Sequence, residues 1–227
     1  MSFVSQAWAI AGKDLRSELR TKETINASLS FALVILLLFS FVLDPGSDQV
    51  REISGGLLWL VFTFAGALIL NRSFARELPN ECLEALLASP TSGAELFVGK
   101  AFASFVLLMI VEIVCLPVFG VFYNTTAWTR QLPLLASVLA LGTWGISIIG
   151  TMFSAMTVNL RLRELMLPVL VYPVIIPLLM GAIQLTGLLL AGEPIDKDNQ
   201  LWVRVLVAFD IIFTLLAVSL VEFVLIG

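Results

Sequence analysis

Six apolar stretches, each of a length to cross a bilayer as a helix, constrain this chain more than any other feature. They cover residues 25–43, 53–70, 99–122, 132–158, 165–190 and 201–226. About 20 apolar residues span about 30 Å of hydrocarbon as helix. Lipid offers no partner to a backbone N–H or C=O, so a spanning segment must be a helix or part of a closed barrel. A barrel needs alternating strands of about ten residues, and no such pattern is present. The expected fold is therefore all-α and integral to the membrane, with six transmembrane helices in a single domain, 1–227. Composition supports this: 59% of residues are hydrophobic and only 13% charged, where a soluble domain carries about 25% charge. These proportions exclude a soluble enzyme, a disordered tail and a secreted disulfide scaffold.

Charge placement predicts orientation. Lys13, Arg16, Arg20, Lys22, Arg72, Arg76, Lys100, Arg161 and Arg163 fall on one side of the six stretches. Only Arg51, Arg130, Lys197 and Arg204 fall on the other. The excess of Lys and Arg on cytoplasmic loops places both termini in the cytoplasm. The first stretch, at 19 residues, is too long for a signal-peptide core and ends in Asp44-Pro45-Gly46, so it reads as a retained anchor. The net charge of −4, with no basic run, argues against nucleic acid as a partner. The chain has no histidine, which removes His-based metal sites, proton shuttles and Ser-His-Asp catalysis. Cys82 and Cys115 form no C-x-x-C pair and are expected to be small buried residues.

Two segments are neither spans nor simple loops. In 4–22, Val4, Trp8, Ala11, Leu15 and Leu19 recur at helical spacing, with Lys13, Arg16 and Arg20 off that stripe. The pattern suits an amphipathic helix lying in the interface. In the long cytoplasmic loop 71–98, Pro79 can open a helix and Pro90 can close it. Between them Cys82, Leu83, Leu86 and Leu87 form an apolar face, with Glu81 and Glu84 beside it. About ten residues make about 15 Å of helix, too short to span but suited to lie across the membrane surface and meet a partner.

The 93–100 stretch GAELFVGK superficially suggests a phosphate loop, but five residues separate its glycines and Ala101 follows Lys100. The phosphate loop needs four residues there and a hydroxyl after the lysine. ATP must then be handled by another subunit. Gly142, Gly145 and Gly150, with Ser147, Thr151 and Ser154, make the fourth span close-packing, either inside one subunit or between subunits. Pro168, Pro173 and Pro177 each remove a backbone donor from the fifth span. They leave open a kinked continuous helix or a broken outer segment. Glu112 and Asp210 lie deep in apolar runs, as a structural polar contact or a transport group. Glu222 is expected to reach the interface.

The stretch Phe74-Ala75-Arg76-Glu77, then Cys82-Leu83-Glu84-Ala85-Leu86-Leu87-Ala88-Ser89-Pro90, then Val98-Gly99-Lys100 resembles the first cytoplasmic loop of ABC-2 type permeases. Within that group the chain is similar to the CcmB family of cytochrome c maturation permeases. The start Lys13-Asp14-Leu15-Arg16-Ser17-Glu18-Leu19-Arg20 agrees, as do Gly56-Leu57-Leu58-Trp59 and the 170–179 run LVYPVIIPLL. The turn Asn80-Glu81-Cys82 departs from the glycine common there. The resemblance implies an ABC-2 type permease fold, a non-catalytic subunit and pairing as a homodimer in the bacterial inner membrane. It implies an ATPase partner (CcmA-like) that brings the ATP, CcmC-like and CcmD-like membrane partners, and release of a heme-loaded chaperone, CcmE. Heme is held by a partner, and no cofactor or metal is bound directly. The 71–98 loop then becomes the coupling element, with Leu83, Leu86 and Leu87 as the seat for the ATPase and Arg76, Glu77, Glu81 and Glu84 as its polar rim. The alternatives are an ABC-2 permease for a lipid, drug or polysaccharide, a proton-coupled carrier using Glu112 and Asp210, and an assembly scaffold. Leu83→Asp is expected to uncouple ATP hydrolysis from cytochrome c production while the chain stays in the membrane; unchanged cytochrome c levels in that variant would refute the seat.

Overall fold

The computed structural model describes residues 2–44, 47–75, 77, 92–123, 129, 131–158, 160 and 162–226. Among them there are seven helices: α1 (Phe3–Thr21), α2 (Glu23–Val42), α3 (Asp48–Ala75), α4 (Gly93–Phe122), α5 (Leu132–Thr157), α6 (Arg163–Ala191) and α7 (Gln200–Ile226). Six of them, α2 to α7, are long and apolar enough to cross a membrane, so the chain is a multi-pass, all-helical membrane protein. Successive spans alternate in direction. The α1 end of the bundle therefore also carries the end of α3, the start of α4, the end of α5, the start of α6 and the end of α7.

The boundaries follow from local chemistry. α4 begins at Gly93, six residues before the apolar stretch that marks it in the sequence. Its start is fixed by a capping box: Ser92 Oγ accepts from the Glu95 N–H, and the Glu95 carboxylate accepts from the Ser92 N–H at 2.8 Å. These bonds satisfy N–H groups that a helix start leaves without intrahelical partners. The 93–100 stretch is thus the first two turns of a helix, not a phosphate loop. α6 runs continuously from Arg163 to Ala191 with all three prolines inside it, which settles the fifth span as an unbroken helix. It stops at Gly192, whose φ of 81° is the left-handed conformation natural to glycine at a helix end.

α1 meets α2 at Lys22, a non-glycine residue with φ 56° and ψ 14°. That conformation costs an L-residue about 1–2 kcal/mol, and the junction carries a compensating bond. Glu18 Oε1 accepts from the N–H groups of Thr24 (2.7 Å) and Ile25 (2.9 Å) at the start of α2. A carboxylate there also meets the positive end of the α2 dipole.

α3 is the central helix. Its span is 72% buried, against 17% for α2, and it touches α2, α4, α5 and α6. Its closest approach is to α6: a Cβ on Gly55 would lie 2.4 Å from the Ile183 carbonyl oxygen and 2.8 Å from the Gly187 nitrogen. Only glycine permits that backbone-to-backbone contact. In lipid, where no hydrophobic effect drives helices together, such close approach supplies much of the attraction. The glycines of α5 serve the same bundle: Gly142 faces the Trp59 ring, Gly145 faces Asp210 and Leu178, and Gly150 faces Leu70. The small-residue stripe is therefore internal packing within one subunit. Tyr123, just past α4, stacks on Phe119 and donates to the Leu36 carbonyl at 2.9 Å, which pins α2 to the far end of α4.

Gly55→Ala is expected to destabilise the purified protein by about 1–3 kcal/mol, the usual range for forcing a methyl group into a packed site. Gly187→Ala, whose Cβ would meet nothing within 4 Å, is expected to leave the thermal midpoint unchanged or slightly raised. Equal shifts in the two variants would refute the contact.

Candidate functional site

The apolar stripe expected on α1 for a helix lying in the interface is partly packed on protein and partly left exposed. Ala7 and Ala11 are buried, while Val4 (71% exposed) and Leu19 (54%) are exposed, and Trp8 (65%) stays exposed with its ring beside Phe102 of α4. The face turned inward is Ala7, Ala11, Asp14 and Glu18, an i, i+4, i+7, i+11 row on one side of a helix. It lies along the first turns of α4. Gly99 makes this possible, since a Cβ there would sit 2.7 Å from the Ala7 carbonyl oxygen and 2.8 Å from Ile10 Cβ.

That approach buries the next residue, Lys100, completely. Its Nζ donates to Asp14 Oδ2 on α1 at 3.1 Å, to the Ser73 carbonyl of α3 at 2.9 Å and to Glu77 Oε1 at 3.0 Å. The ammonium also lies 5.1 Å from the centroid of the Phe74 ring. An ammonium carries three N–H donors, and each has an oxygen here. Lys13 completes the cluster, donating to Glu77 Oε1 at 2.6 Å and standing 3.4 Å from Asp14 Oδ1. Two lysines and two carboxylates from three chain segments thus neutralise one another at the α1 end. Lys100 reads in the sequence as a loop cation counted for orientation, and its burial is the main departure from that expectation.

Both roots of the 78–91 segment are tied to α1. Glu77, where the segment leaves, is held by Lys13 and Lys100. At Ser92, where it returns, Glu95 closes the capping box. With its amide nitrogen turned toward Glu95, Gln6 of α1 donates to that carboxylate, at 2.8 Å for Oε1. Of the residues expected at the coupling element, Glu77 is buried with its carboxylate committed to this cluster. Arg76, Glu81, Leu83, Glu84, Leu86 and Leu87 lie outside the described residues.

Within the membrane, Glu112 of α4 is buried and accepts from the Thr143 hydroxyl of α5. Asp210 of α7 is buried against Gly145 and Leu178. Neither Asp210 oxygen has a hydrogen-bond partner among the described residues, nor has Glu112 Oε2. The two acids meet different faces of α5, because Thr143 and Gly145 are two positions apart on that helix. Pro173 lines an open apolar groove between α3 and α6, with Trp59, Phe64 and Tyr172. Trp59 Nε1 donates to Thr186 Oγ1 at 2.9 Å across that contact. Among the described residues no three His, Cys, Asp or Glu side chains gather as a metal site would need.

The sequence carries signals for part of this. Ser92-Gly93-Ala94-Glu95 is a capping-box pattern, and Asp14 and Glu18 share a spacing with Ala7 and Ala11. The lysine partner of those acids is 86 positions away from Asp14 and leaves no local trace.

Burial pushes the Glu77 carboxyl up, but the Lys100 charge and the bonds from Lys13 and Lys100 outweigh it and hold the group below the usual carboxylate range. Burial likewise pulls the Lys13 ammonium down, and the Glu77 bond with the Asp14 and Glu77 charges more than reverses it. The lowered group contributes stability above its unfolded value, about pH 4.3, that is lost as pH falls through its folded value. The raised one contributes stability below about pH 10.4 that is lost as pH rises further. Docking of α1 is thus expected to hold on a plateau from about pH 5 to pH 10. Glu77→Gln, which leaves part of a buried ammonium uncompensated, is expected to cost about 3 kcal/mol at neutral pH. It is also expected to flatten the acid limb of a thermal-midpoint profile, and an unchanged acid limb would refute the cluster's role.

Comparison with known proteins agrees with this layout. The family model described as CcmB protein matches residues 5–223. The chain is 31% identical over 175 residues to "Heme exporter protein B" of Rhodobacter capsulatus, covering 77% of this chain and 79% of the relative. It is 30% identical over 203 residues to "Heme exporter protein B" of Pseudomonas aeruginosa, covering 88% of each. Against the protein of that name from Escherichia coli K12 the identity is 26% over 175 residues, covering 77% of this chain and 79% of the relative. A match that runs from α1 through α7 takes in every helix of the bundle and the Lys100 cluster, and the chain belongs to the CcmB family.

Proposed function

We propose that this chain is the permease subunit of an ABC transporter complex acting in heme export for cytochrome c biogenesis, through ATP-driven release of a heme-loaded chaperone of the CcmE kind. The observation that carries this is the family match over residues 5–223, together with relatives named for heme export. The chain is a non-catalytic subunit of the bacterial inner membrane with both termini in the cytoplasm. ATP is bound and hydrolysed by a separate CcmA-like ATPase that docks on the 71–98 loop, seated on Leu83, Leu86 and Leu87. CcmC-like and CcmD-like proteins complete the complex, two copies of this chain pair in it, and heme is held by a partner. The lack of histidine supports that division, since no His ligand for heme iron comes from this chain.

Energy enters such a subunit mechanically. A loop seated on a closing ATPase moves with it, and helices joined rigidly to the loop follow as bodies. Glu77 and Ser92, the two ends of the segment, are bonded into α1 and α4, so displacement of the loop is not absorbed at its roots.

The carrier alternative is favoured by the buried Asp210 carboxyl and Glu112 Oε2, which have no hydrogen-bond partner among the described residues. The two readings separate on paired experiments. Gentle purification of the tagged chain from native membranes is expected to bring along an ABC ATPase with CcmC-like and CcmD-like proteins. An intact preparation without an ATPase would overturn the permease reading. The double variant Glu112→Gln, Asp210→Asn is expected to retain cytochrome c production; its loss, with dependence on the proton gradient, would favour the carrier.

A further inference from the structure

Among the described residues α1 packs mainly on α4, and its side chains reach both sides of the 78–91 segment, Lys13 at Glu77 and Gln6 at Glu95. Three chain segments converge on a single nitrogen, Lys100 Nζ: α1 through Asp14, the end of α3 through the Ser73 carbonyl, and the start of the connection through Glu77. Lys13 adds a second bond from α1 to Glu77. The rest of the α1–α4 contact is weaker in kind. It includes the Gln6 bond to Glu95 at the start of α4 and, beyond that, the Gly99 approach to Ala7 and Ile10 and an aromatic pair, Trp8 with Phe102, at 5.1 Å between centroids. Van der Waals contacts of this sort allow one helix to slide along another. A buried, fully bonded ammonium does not, because any displacement strips it of an anionic partner where water cannot replace it.

We infer that Lys100 is a positioning residue for energy coupling: held between Asp14 and Glu77, it obliges α1 to move as one body with the root of the 78–91 connection. The inference rests on the proposed ATPase-driven function. Under it α1 is a moving part of the coupling machinery, and not a float that rides passively at the membrane surface. The chemistry sets a sharp requirement. The tie needs a cation at position 100 that reaches two carboxylates, so arginine can serve where a methionine of similar length cannot.

The test uses the whole complex, purified with its ATPase and placed in lipid nanodiscs. Spin labels are attached at Ser5→Cys on α1 and Leu134→Cys at the far end of α5, both exposed positions, in a Cys82→Ser, Cys115→Ala background. The distance between them is measured without nucleotide and after vanadate trapping. In the otherwise unaltered complex the distance is expected to shift on trapping. With Lys100→Met the shift is expected to vanish while the ATPase still co-purifies and hydrolyses ATP, and cytochrome c production falls on the order of tenfold. Lys100→Arg is expected to restore both. A Lys100→Met complex that shows the full shift, or an unaltered complex that shows none, overturns the inference and leaves the ATPase-coupled reading standing. Failure of any ATPase to co-purify with the unaltered chain overturns both. Should Lys100→Met not accumulate in the membrane, Lys13→Met and Glu77→Gln are judged by the same loss of shift.

Discussion

An ammonium group enclosed by protein at the edge of a bilayer must find an oxygen for each of its protons, and much of the α1 end is arranged around that demand. Lys100 sits two turns into α4, beside the glycine that lets α1 lie against it. Burying an ion costs several kcal/mol even after relaxation, and attraction to a partner repays this only when geometry and hydrogen bonding are good. Here the charge is met by carboxylates from two other segments and by a backbone carbonyl. The consequence is specificity more than stability. A helix that would otherwise be free to lie at the interface in many directions has one seat, and the chain before and after the long connection is fixed to it.

Deeper in the membrane a different constraint governs. Hydrocarbon offers helices no hydrophobic reason to associate, so contact must come from shape and from occasional hydrogen bonds. Gly55 and the α5 glycines answer the first requirement, and the pairs Trp59–Thr186, Trp144–Thr214 and Glu112–Thr143 answer the second. The central position of α3 follows from both. It carries the glycine that reaches the α6 backbone and the tryptophan that reaches the α6 hydroxyl.

The six spans were legible because lipid imposes one rule over about twenty consecutive residues, a signal that survives any local detail. Their ends were not, because termini are set by single side chains such as Ser92 and Glu95, which hydropathy ignores. α1 was recognisable as an amphipathic interfacial helix, and its exposed Val4 and Leu19 agree with that, but the face toward protein, which carries Asp14 and Glu18, was not legible. Glu77, expected to face a partner, turns inward because Lys100 is there to receive it. Gly142, Gly145 and Gly150 signalled close packing without naming the partner, since a missing side chain has no chemistry of its own. The prolines of α6 were equally ambiguous, because lost donors can be tolerated within a helix or can end it.

The junction at Lys22 gives α1 a fixed hinge point. Nineteen residues at about 1.5 Å each make α1 nearly 30 Å long, and Glu18 holds its near end to the start of α2. Rotation of about 10° about that hinge sweeps the Phe3 end through about 5 Å, a full helical pitch. The Lys13–Asp14 position lies less than halfway out from the hinge, so a displacement applied there is more than doubled at the tip. The Phe3 end is therefore the part of this helix that any tilt about Lys22 displaces most.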